Sequence, residues 1–97
     1  MWCSTSKGRT VREPSADQIL GALAAAAPEE AVVLVRDLQR FVCATRTSQG
    51  SFAIAVRDGS LARQVAIGTS DVRDAAAALL AFATDASFAS RLVDRAR

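Results

Sequence analysis

Two short repeats hold the residues best placed to do chemistry. Val35-Arg36-Asp37 and Val56-Arg57-Asp58 each set an arginine and a carboxylate at the end of an apolar run, twenty-one residues apart. In a meander both pairs fall at one end of the sheet. Two carboxylates between two guanidinium groups could hold a divalent ion or a phosphate. A carboxylate beside a turn also orders that turn by accepting its backbone N–H groups. That is the simpler expectation for Asp37 and Asp58, so no metal site is predicted.

Most other chemistry is excluded by composition. The chain has no histidine and no tyrosine, which removes Ser-His and Cys-His nucleophile pairs and most zinc-site designs. Asp71 and Asp74 stand where a helix should begin, and carboxylates there complement the positive helix end. Glu29-Glu30 follows Pro28 and reads as a solvated corner. The five glycines are isolated, so no phosphate-cradling loop exists. No catalytic residue, cofactor or small-molecule substrate is therefore expected, and the chain does not read as an enzyme.

Ninety-seven residues, 51% of them hydrophobic, suffice for one domain with one core. Arginine outnumbers lysine eleven to one, a bias expected of a GC-rich bacterial genome. The net charge is +2, too small to mark a polyanion binder by itself. Its distribution is uneven: +3 over residues 1–12, −4 over 13–35 and +3 over 36–67. The longest apolar runs, residues 22–28 and 75–83, are too short to span a membrane. Residues 1–10 have no apolar stretch that would serve as a secretory signal, so a cytoplasmic setting is expected. Cys3 and Cys43 are then expected to stay reduced, with Cys43 a small buried hydrophobe.

The elements that must position these residues read as α-β-β-β-β-α-α. Residues 1–13 lack periodicity and are expected to form a flexible arm, with 14–97 a single α+β domain. Trp2 is anomalous in such an arm, and packing against its own domain is the expected reason. Ser15 and Gln18 have capping-box spacing ahead of Ile19, Leu20 and Leu23. Residues 31–36, 40–47, 51–57 and 61–67 then read as four strands of a mainly antiparallel sheet, turning at 48–50 and at Asp58-Gly59. Val72, Ala75, Ala76, Leu79, Leu80 and Ala83 recur at helical spacing. A last short helix would dock Phe88, Leu92 and Val93, leaving Arg95 and Arg97 to solvent. The helices are expected on one face of the sheet.

Alternation along the strands assigns Phe41, Cys43, Phe52, Ile54, Val56, Leu61, Val65 and Ile67 to the core. Arg63 interrupts that stripe and marks the fourth strand as an edge. The opposite parity, including Arg40, Val42, Ala44, Arg46, Ala53, Ala55, Arg57, Gln64 and Ala66, predicts a face of small residues interleaved with arginines. The first strand differs, since Val32 and Leu34 are as apolar as Val33 and Val35. Either it is central in the sheet or a second subunit covers it, which makes Val32 and Leu34 a candidate homodimer interface.

These features favour a small interaction or regulatory protein of the immunity-protein, antitoxin or accessory-regulator kind. It would act, as a homodimer, through its uncovered sheet face, with Arg40, Arg46, Arg57 and Gln64 touching a protein partner. The alternative is a nucleic-acid-binding module using the same arginines and the basic arm. Its weakness is that the assigned free face carries no aromatic ring to stack a base. No membrane partner is expected.

Overall fold

The structure, a computed structural model, describes residues 1–96, and of residues 69 and 70 the backbone alone. In chain order it comprises β1 (Trp2–Thr5), β2 (Thr10–Arg12), α1 (Ala16–Ala25), β3 (Ala31–Asp37), β4 (Arg40–Arg46) and β5 (Phe52–Asp58). A 3-10 turn (Leu61–Arg63) leads into β6 (Gln64–Ser70), followed by α2 (Val72–Thr84) and α3 (Phe88–Ala96). All pairings are antiparallel, in one sheet ordered β2-β1-β3-β4-β5-β6.

The sheet thus has six strands rather than the expected four. Residues 2–12, read as a flexible arm, are a hairpin whose first strand pairs with β3 from Trp2↔Val35 to Thr5↔Val32. Its turn is closed by Thr5 N donating to Arg9 O (2.9 Å) and Gly8 N to Thr5 O (2.9 Å). Gly8 sits there at φ +83°, where a side chain would be strained. Ala31 N also donates to Ser6 Oγ (2.8 Å), tying the turn to the start of β3.

This hairpin explains why β3 is apolar on both sides: it is a central strand. Val32 and Leu34 are 1% and 0% exposed in the core, out of reach of any second subunit. The expected homodimer interface at those two residues is corrected accordingly. Of its apolar residues, β3 leaves Ala31, Val33 and Val35 partly exposed.

A second correction concerns β4. The loop over 48–50 sets Thr47 opposite Ser51, with Thr47 N donating to Ser51 O (2.8 Å). A three-residue loop places same-parity residues of the two strands side by side, so Val42 pairs with Val56, Ala44 with Ile54 and Phe41 with Arg57. Val42 and Ala44 are therefore buried at 0%, while Phe41 and Cys43 fall on the other face. Phe52, Ile54 and Val56 are buried as expected. Leu61 lies in the 3-10 turn and is 70% exposed, so it leaves the expected core set.

The buried residues of the helices join the strands in one cluster: Ile19 and Leu23 of α1, Ala75, Ala76, Leu79 and Phe82 of α2, and Ala89 of α3. Val65 and Ile67 pack against it partly buried. The capping box of α1 is formed, with Gln18 N donating to Ser15 Oγ (3.1 Å) and Ser15 N to Gln18 Oε1 (2.8 Å). Asp71 caps α2 by accepting from Asp74 N (2.8 Å). At the other end of α2, Arg36 donates to the Phe82 carbonyl and lies 5.1 Å from its ring centroid. A cation there answers both the unpaired carbonyl and the negative helix end. Arg95 is exposed, and Arg97 lies outside the described residues.

Candidate functional site

The sheet residues of the other parity remain partly or fully exposed and line up in cross-strand rows. One row runs Arg12, Trp2, Val35, Phe41, Arg57, Gln64 across all six strands. The next runs Thr10, Ser4, Val33, Cys43, Ala55, Ala66. Neighbouring strands are about 4.8 Å apart and residues rise about 3.3 Å. The open face is thus about 24 Å across the six strands and about 20 Å along β3 to β6, narrowing at the short β1 and β2.

Arg57 is fixed in the first row, one strand in from the β6 edge. Its guanidinium carbon lies 5.2 Å from the Phe41 ring centroid. Nε donates to Gln64 Oε1 (2.7 Å) and Nη1 to Gln39 Oε1 (3.0 Å). Neutral amide acceptors hold the group without cancelling its charge, and the ring favours a cation over its face. The strands contribute no carboxylate to this face, so Arg57 and Arg12 give it a positive sign.

The two Arg-Asp repeats do meet at one end of the sheet, but their side chains separate. Arg36 goes to α2 and Arg57 to the open face. Asp37 and Asp58 instead share Arg40, at 3.1 and 3.9 Å, while Arg63 spans Asp58 (3.1 Å) and Asp94 of α3 (3.0 Å). Asp37 also accepts from Gln39 N (2.9 Å). That backbone bond, then Arg40, holds its carboxyl below the usual carboxylate range. Asp94 and Asp58 in turn push the Arg63 guanidinium up. These carboxylates are already neutralised by arginine, which opposes cation binding. Among the described residues no group of three or more Cys, Asp or Glu side chains could hold a metal ion.

Of the four residues expected to touch a partner, the structure brings Arg57 and Gln64 together on the open face. Arg40 is spent between two carboxylates, and Arg46 lies over the Phe52 ring (5.5 Å), on the side of the core. Sequence reasoning missed Trp2, Val35 and Phe41. The length of the 48–50 loop was the available signal for Phe41, and the odd placement of the single tryptophan was the signal for Trp2.

The two cysteines are free. Cys3 is buried, and burial pushes its thiol up; Cys43 sits half-buried on the open face. Among the described residues no helix is long and apolar enough to cross a membrane. The chain matches no protein-family model, no curated protein and no solved structure.

Proposed function

We propose that this chain is a non-enzymatic interaction module whose open sheet face docks another protein. The observation that carries the reading is the partly exposed row Trp2–Val35–Phe41–Arg57: two aromatic rings, an aliphatic side chain and a held cation, side by side. Aromatic residues and arginine are the groups that dominate binding energy at protein interfaces. Leu38 and Leu61, 84% and 70% exposed, lie in the turns after β3 and β5.

A partner that brings carboxylates fits this face better than a second copy does. Face-to-face self-association would set Arg57 against a surface that supplies no counter-charge, and an unpaired desolvated cation is costly. On this reading the protein should run as a monomer in light scattering behind a sizing column, at both low and high salt. Iodide should quench Trp2 emission more strongly than caesium, because the surroundings are cationic. A salt-resistant dimer in which Trp2 is shielded from both ions would replace the partner with a second copy.

A second reading is supported by the same residues. The objection to nucleic acid was the lack of a free aromatic ring, and Phe41 and Trp2 remove it. An antiparallel sheet with aromatic rings and arginines on its open face is a stacking platform for single strands. Titrating a single-stranded oligonucleotide against Trp2 emission separates the two. Phosphate-driven binding falls steeply with salt, whereas apolar docking persists.

A further inference from the structure

The helix side of the sheet holds a site unrelated to the open face. Between α1 and the β1–β2 hairpin lies a cavity of about 330 Å³, within the size range of small-molecule sites. It exists because the residues facing the hairpin, Gly21, Ala22 and Ala25 of α1 and Ala26 just after it, are too small to reach the strands. A Cβ added at Gly21 would meet nothing within 4 Å. Val11 and Val32 give the opposite wall an apolar surface.

One end of this cavity is polar. Thr5 lines it, but its hydroxyl oxygen is sealed from solvent and so from any ligand in the cavity. Lys7 and Arg9, on either side of Gly8 in the hairpin turn, also line the cavity. Lys7 Nζ lies 3.7 Å from Glu30 Oε1, so Glu30 offsets its charge. Arg9 has no ion-pair partner among the described residues and leaves that end with a net positive charge.

We infer that this cavity binds an aliphatic carboxylate of medium chain length, its head group at Arg9 and its chain along Ala22, Val11 and Val32. A guanidinium donates paired hydrogen bonds to a carboxylate. The alanine-lined wall takes the chain without asking for polar contacts.

Sodium octanoate, titrated into the labelled full chain and followed by amide NMR shifts, tests this. Saturable shifts at Thr5, Arg9, Gly21 and Ala25 are expected, with octanol weaker and octylammonium inert. Arg9→Glu should weaken octanoate about tenfold or more, and Ala22→Leu, which fills the space, should remove binding while keeping the fold. Phe41→Ser on the open face should leave octanoate affinity unchanged, which keeps this site separate from the docking surface. Absence of saturable shifts, equal binding of octylammonium, or octanoate affinity untouched by Ala22→Leu would overturn the assignment.

Discussion

The Arg57 guanidinium stands 5.2 Å from the ring centroid of Phe41, its direct neighbour across the β4–β5 pair. The contact ties a fold question to a functional one. It exists only in the register set by the 48–50 loop, and it fixes a cation beside an aromatic ring on the exposed side of the sheet.

The register has a measurable consequence in stability. Phe52 is fully buried, so Phe52→Ala should cost about 3–5 kcal/mol from lost transfer energy and a cavity. Phe41 is only half-buried, and Phe41→Ala should cost about 1–2 kcal/mol. Urea unfolding of the two variants checks this, and equal losses would place Phe41 in the core.

The cysteines give an independent reading of the same faces. Cys43 on the open face should react first with a thiol reagent under native conditions. Cys3, buried and with its thiolate disfavoured, should react only as the protein unfolds. Two-phase kinetics, with the slow phase accelerated by urea, is the expected result. A partner on the open face should slow the fast phase alone.

Acid should destabilise the protein in a definite window. The carboxyls of Asp37 and Asp85 are held below their ordinary values, chiefly by backbone N–H groups of Gln39 and Ser87. Depressed carboxyls contribute stability that is present above their unfolded value and lost as pH falls through the folded one. The melting temperature should therefore hold from neutrality down to the ordinary carboxylate range and drop below it. In the double variant Asp37→Asn, Asp85→Asn, the melting temperature at neutral pH should be lower and the acid drop shallower.

Arg63 joins the β5 end to α3 through Asp58 and Asp94. Arg63→Met keeps the stem and removes the charge, so the melting temperature should fall. Because these groups are partly exposed, salt screens the pairs. The gap between wild type and variant should narrow in high salt, as thermal melts at two ionic strengths would show.

Much of this arrangement was legible in the residues. Ser15 and Gln18 announce their capping box, Asp71 its helix, and Val35-Arg36-Asp37 with Val56-Arg57-Asp58 the shared end of the meander. The β1–β2 hairpin was not, because Trp2–Thr5 and Thr10–Arg12 are short and mostly polar. Such strands gain their stability from β3 rather than from an alternating pattern of their own. The facing of β4 was lost for a different reason. Phe41, Val42, Cys43 and Ala44 are all small or apolar, so either parity makes a plausible core, and loop length alone decides it. The cavity beside α1 was invisible, since alanines at helical positions read as packing until the opposite wall is known.

The docking face is tested most directly by quantitative capture from extracts of the cells that make the protein. The baits are the wild-type chain, Phe41→Ser, Arg57→Glu, and Leu20→Ser, the last altering an exposed residue of α1; each is first shown to be folded. At least one identified protein, rich in surface carboxylates, should be retained by wild type and Leu20→Ser and lost from both open-face variants. Retention that is the same on all four baits, or lost equally with Leu20→Ser, would contradict the open sheet face as the partner surface.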